Sequence, residues 1–166
     1  MTPPEALIQL LQPWNDFYSH SKGIETAVLF LHIGGLLLAG GLAIAADRGT
    51  LRALRVAATT RGHHVVELGA VHRWVVPGLL TVIVSGVALL ASDIEAFWGS
   101  WIYWAKMLLV VLLLLNGLMM NRAEAGLAKD PSDASPHWPA LRRSAVTSLV
   151  LWFATTLAGV ALANFA

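Results

Sequence analysis

Four apolar runs, at residues 23–46, 74–92, 101–120 and 144–165, alternate with shorter segments that carry most of the charge. A helix needs about 20 apolar residues to cross the hydrocarbon core of a bilayer, and each run comes close to that length. The pattern predicts an all-α integral membrane four-helix bundle, a single transmembrane domain over residues 1–166. Ahead of the first run, Thr2-Pro3-Pro4-Glu5 has the form of a capping box with prolines in the first turn. Leu7, Ile8, Leu11 and Trp14 follow at helical spacing. Residues 1–22 are therefore expected to form an N-terminal interfacial helix. They lack the basic start, apolar centre and small-residue cleavage site of a signal peptide.

The segments between the runs differ in sign. The first loop holds Arg48, Arg52, Arg55, Arg61 and Arg73, and the third holds Arg122, Lys129, Arg142 and Arg143, whereas the second holds Asp93 and Glu95. Basic loops stay in the cytoplasm, which places the N-terminus, the acidic loop and the C-terminus outside a bacterial cytoplasmic (inner) membrane. Trp74, Trp98, Trp101, Trp104 and Trp138 fall at expected span ends, where amphipathic rings settle, and Trp152 falls within a span. Residues 50–56 interleave arginines with apolar residues, as a helix lying on anionic headgroups would. Gly62 is expected to end that helix, and from His63 the pattern runs straight into the second span. Residues 130–136 read as a loop.

Composition agrees with the pattern: 57% hydrophobic residues, 13% charged residues and a mean hydropathy of +0.66 are unsuited to a soluble domain of 166 residues. The chain has no cysteine, which excludes disulfides and thiolate chemistry, and its net charge of +1 suggests no nucleic-acid partner.

Ionisable residues inside spans mark functional sites, because burying them in hydrocarbon is costly. His32 lies in the first span, on a face with Gly35, Ala39 and Ala43, a smooth groove suited to a neighbouring helix or to a flat macrocycle. Lys106 lies in the third span at about the depth of His32, so the two can meet, although a long lysine stem can also snorkel to the headgroups. Pro77, Thr81 and Ser85 share one side of the second span, with Gly78 and Gly86 beside them, which fits a proline kink. Asn116 reads as a hydrogen-bonding contact between helices, and Thr155, Gly159 and Ala163 form a small-residue ridge on the fourth span. His20 and His137 fall in segments expected to be solvated. His63, His64 and Glu67 share one helical turn with spacings that can hold a divalent ion. His72 sits at the mouth of the second span beside Arg73. Counting at ~1.5 Å per residue separates His32 from His72 by about 13 Å along the membrane normal, wide for two ligands of one iron.

His32, Arg48 sixteen residues on, Pro77 and Gly86 nine apart, and Trp104-Ala105-Lys106 opening the third span resemble the HemJ-type membrane protoporphyrinogen oxidases and their CopD-like relatives over roughly residues 25 to 120. The resemblance implies bound haem b, with His32 as its ligand and Lys106 as the catalytic residue. The chain departs from that pattern at Leu115-Asn116-Gly117, where the family has Tyr-His-Gly, and at Arg142-Arg143-Ser144.

Two classes of function follow. In the first, a haem-binding redox protein passes electrons from a membrane-soluble donor such as a porphyrinogen or quinol. His32, with His72, Lys106 or water opposite, would hold the iron, and Arg48 and Arg73 would anchor propionates or face the headgroups. In the second, a non-catalytic accessory subunit packs against a larger membrane complex, or against copies of itself, through its polar and small intramembrane residues. Copper handling by His32 with Met107, Met119 or Met120 is a weaker third reading, because those methionines differ in depth and face.

Overall fold

The computed structural model describes residues 2–55, 58–129, 132 and 135–165, except the side chains of 58–70 and 72. These residues form six helices: α1 (Glu5–Ser19), α2 (Lys22–Ala53), α3 (Ala58–Ser92), α4 (Ile94–Gly99), α5 (Trp101–Lys129) and α6 (His137–Phe165). No strand occurs among them. Four helices are long and apolar enough to cross a membrane: α2, α3 over Arg73–Ser92, α5 and α6.

The bundle is two antiparallel hairpins. α2 packs along α3 and α5 along α6, and the hairpins join through α2 and α6, while α3 and α5 touch only marginally. Small residues set these distances. A Cβ added at Gly35 would stand 3.0 Å from the Gly78 carbonyl oxygen and 3.0 Å from Val82 Cγ2, and one added at Gly78 would stand 3.0 Å from the Ala39 nitrogen. The Gly35 and Ala39 face is thus filled by α3, which realises the helix-packing reading of the groove and not the macrocycle one. Gly40 admits the indole of buried Trp152, to which an added Cβ would come within 3.1 Å. Ala39, Leu113, Leu151 and Trp152 form the mid-bundle core. Outward faces such as Phe30, Leu37, Val84 and Leu157 are exposed, as lipid-facing positions must be.

α1 covers the acidic end. Leu7, Ile8, Leu11 and Trp14 are half-buried, whereas Leu10 and Phe17 are exposed. Trp14 Nε1 donates to the Ala88 carbonyl at 2.9 Å, and Asn15 Nδ2 donates to the Ser92 carbonyl at 2.7 Å. The capping box does not form: Pro4 takes the N-cap position without a side-chain bond, because the proline ring carries no acceptor and only the Pro4 carbonyl accepts, from the Leu7 nitrogen at 2.9 Å. Ser21 caps α2 instead, accepting from the Ile24 nitrogen at 3.4 Å. The acidic loop contains α4, whose N-cap Asp93 accepts from the Ala96 nitrogen at 3.2 Å. Trp101 and Trp74 are exposed at span ends.

At the basic end every spanning helix outruns its apolar stretch. α2 continues through Asp47 and Arg48 to Ala53, so residues 50–53 prolong the span and do not form a separate surface helix. Residues 56 and 57 lie outside the described residues. Gly62 falls inside α3 and does not end a helix. α5 runs on to Lys129 and α6 starts at His137, which builds a second core of Met120, Ala123, Leu127, Trp138, Leu141 and Ala145. Trp138 is buried there, with Nε1 donating to the Ser132 carbonyl at 3.1 Å, and is not a ring of the interfacial belt. His137 likewise packs over Gly126 instead of facing solvent alone.

Candidate functional site

The candidate site lies where the first and third spans carry their ionisable residues. His32 projects from α2 toward α3, where Gly86 leaves room for the ring: an added Cβ would stand 3.2 Å from His32 Cε1. Beside it, Ser85 Oγ lies 3.0 Å from His32 Nδ1. Ser85 has one proton, and it is directed to the Thr81 carbonyl at 2.5 Å, with the Val82 carbonyl 3.2 Å away. Toward His32 the hydroxyl therefore acts as acceptor, so Nδ1 carries the hydrogen. The neutral imidazole is thus held as its Nδ1–H tautomer, with the lone pair on Nε2. Anchoring one ring nitrogen so that the other can ligate or accept a proton is the usual arrangement around metal-binding histidines.

Ser85 belongs to the predicted side of α3. Thr81 Oγ1 turns back to the Pro77 carbonyl at 2.9 Å, and Ser85 does the same one turn later. Proline removes a helix donor at this point, and the two hydroxyls solvate neighbouring carbonyls.

Lys106 approaches from the other hairpin. Its Nζ lies over Gly159 of α6, 3.6 Å from where a Cβ would stand, so the small-residue ridge of α6 seats the lysine stem. Depths agree across the bundle. From the Gly40–Trp152 contact, His32 is eight residues up α2 and Gly159 seven up α6, about 12 Å and about 11 Å of helix. The structure thus places His32 and Lys106 at matching depth on the two hairpins, His32 against Ser85 and Gly86 of α3 and Lys106 against Gly159 of α6.

The other candidates lie elsewhere. Arg48 is exposed sixteen residues, about 24 Å of helix, from His32. Arg73 is exposed twelve residues, about 18 Å, from Ser85. Neither is close to His32. The side chain of His72 lies outside the described residues, but its backbone is thirteen residues, about 20 Å, along α3 from Ser85. That exceeds the span of two iron–nitrogen bonds of ~2 Å each. The side chains of His63, His64 and Glu67 lie outside the described residues. Among those described, no group of three histidines or carboxylates is placed to hold a metal. Met120 is buried and Met119 exposed, so the methionines do not converge. His20 is exposed, with Nδ1 2.7 Å from the Asp16 carbonyl. Asn116 is the expected inter-helix contact, with Nδ2 donating to the Ser144 carbonyl at 3.0 Å.

One group escaped the sequence reading. Asp47 on α2 is 1% exposed, with the Ser148 hydroxyl of α6 bonded to its carboxyl group. Its position next to Arg48 at the end of an apolar run looks like an ordinary loop charge, and only the extensions of α5 and α6 bury it.

The groups at His32 offer a single histidine ligand through Nε2, with the Lys106 ammonium at similar depth. They do not fit a haem held between His32 and His72. Compared with family models, curated proteins and solved structures, the chain matches none.

Proposed function

We propose that this chain is a haem b-binding redox protein of the bacterial cytoplasmic membrane, with His32 as axial ligand through Nε2 and Lys106 as the catalytic residue. The observation that carries this reading is the Ser85–His32 contact, which spends the Ser85 proton on a helix carbonyl and leaves His32 with a directed lone pair inside a span. Bound haem would supply one-electron exchange between a membrane-soluble donor, a porphyrinogen or quinol, and an acceptor. The chain's own residues do the rest. Ser85 fixes the tautomer and heading of the ring, and Gly86 gives the ring its space. Lys106, seated on Gly159, offers a fixed positive charge to a carboxylate of the bound group or to the charge that develops as the donor is oxidised. Arg48 and Arg73 set the headgroup boundary. In this reading the basic end is cytoplasmic and both termini face outward.

The test is purification from haem-replete cells as wild type, His32→Ala and Lys106→Met. The expected result is a b-type spectrum in wild type and its loss in His32→Ala. Lys106→Met should keep the fold but lose donor oxidation by about a hundredfold, the scale of one lost electrostatic contact to a developing charge. Lys106→Met with full haem content and full activity would remove Lys106 from the site. A haem-free protein that purifies only with other subunits would favour the accessory role.

A further inference from the structure

Lys106 has no partner in the chain: among the described residues it makes neither a hydrogen bond nor an ion pair. Its Nζ rests over Gly159, which has no side chain to offer it. A second polar group on α6 is also unmet. Thr155 is 6% exposed, and its Oγ1 is shut off from solvent without a hydrogen bond. Thr26, Thr81 and Thr156 each turn the hydroxyl back to the carbonyl four residues earlier, of Lys22, Pro77 and Trp152. Thr155 does not, although a helix interior offers that carbonyl to any threonine.

The two groups share one strip between α5 and α6. Ten residues outward from the Asn116–Ser144 hydrogen bond on each helix brings Lys106 level with Ala154. Thr155 is therefore at the level of the base of the lysine stem, and Gly159, one turn further on the same face, seats its tip. Positions four apart on a helix have Cβ atoms about 5–6 Å apart, within reach of one small group bonded to both. An ammonium and a hydroxyl can both donate, so what the strip lacks is an acceptor. A cation inside a span also calls for a negative charge beside it. A carboxylate supplies the charge and two accepting oxygens.

We propose that Lys106 and Thr155 bind the carboxylate of a membrane-soluble acid between α5 and α6, with the ammonium on one oxygen and the hydroxyl donating to the other. This builds on Lys106 as a ligand-facing charge, as in the proposed function, and does not need haem. The carboxylate can come from a free acid of the bilayer or from an acidic arm of the bound redox group.

Carboxyl-labelled hexadecanoic acid, followed by nuclear magnetic resonance in detergent with the full chain from haem-depleted cells, tests the site, with hexadecanol labelled at the same carbon as control. Wild type should bind one acid per chain, at least about tenfold more tightly than the alcohol, the scale of a hydrogen bond to a charged group. Thr155→Val keeps the volume and removes a hydroxyl that has no partner. It should leave thermal stability unchanged or raised while weakening the acid by about tenfold, and Thr155→Ser should restore binding. Lys106→Met should lose the preference for the acid. Loading wild type with haem separates the sources: displacement of the acid assigns the site to the haem's own carboxylate, and undiminished binding assigns it to a free acid. Equal binding of acid and alcohol, or acid binding unchanged in Thr155→Val and Lys106→Met, would overturn the proposal. So would displacement of the acid by an equal concentration of phosphatidylglycerol, since Lys106 would then contact a lipid headgroup. A wild type that takes up no haem but binds the acid would sink the haem reading and leave this site standing.

Discussion

At the scale of single residues, the account turns on which nitrogen of His32 is free. The Ser85 hydroxyl lies 3.0 Å from Nδ1 and 2.5 Å from the Thr81 carbonyl, so its removal should release the ring without touching the ligand itself. Ser85→Ala is expected to lower haem occupancy by about 10- to 100-fold, the range seen when outer partners of metal ligands are lost, while Ser85→Thr keeps the bond and the occupancy. Titrating haem into the purified apoproteins checks this, and equal affinities for Ala and wild type would contradict it. His32, Lys106 and the Pro77, Thr81, Ser85 side were all legible, because an ionisable or hydroxyl residue stands out in an apolar run. Their pairing was not, since it depends on which helix face meets which. Asp47 was not legible for the opposite reason: beside Arg48 at a span end a carboxylate is unremarkable, and its burial comes from residues far along the chain.

At the scale of helices, glycine position separates packing from free surface. Gly35 faces a backbone carbonyl at 3.0 Å, whereas Gly41 on the same helix has nothing within 4 Å of an added Cβ. Gly35→Ala should therefore push α2 from α3 and destabilise by about 1–3 kcal/mol, the cost of overpacking. Gly41→Ala should be neutral or stabilise by about 0.5–1 kcal/mol through helix propensity. Thermal unfolding in one detergent compares the two, and a loss at both positions would show that Gly41 also faces a neighbour. Asn116→Leu removes a bond to the Ser144 carbonyl and should cost about 0.6 kcal/mol, the average for such contacts within membranes. Hydropathy located all four spans because lipid forces an apolar exterior. It underestimated their lengths, because α2, α5 and α6 extend beyond the apolar stretch through mixed sequence whose apolar residues, among them Ala123, Leu127, Trp138 and Leu141, pack into a second core.

At the scale of the molecule, two hairpins joined along α2 and α6 leave α3 and α5 barely in contact, with His32 and Lys106 drawn from opposite hairpins. Two basic loops and one acidic loop, visible in the sequence, predict a topology that can be measured. The chain has no cysteine, so single replacements report cleanly: Glu95→Cys should react with an impermeant maleimide on intact spheroplasts, and Lys129→Cys only after permeabilisation. The reverse pattern would invert the bundle. The central claim is that His32 is poised to bind haem, and the most direct measurement is a reduced-minus-oxidised absorption spectrum with a pyridine haemochrome assay on wild-type protein from haem-replete cells. The account predicts about one b-type haem per chain, as a single directed histidine requires, and a clean negative from protein that is folded and monodisperse would contradict it.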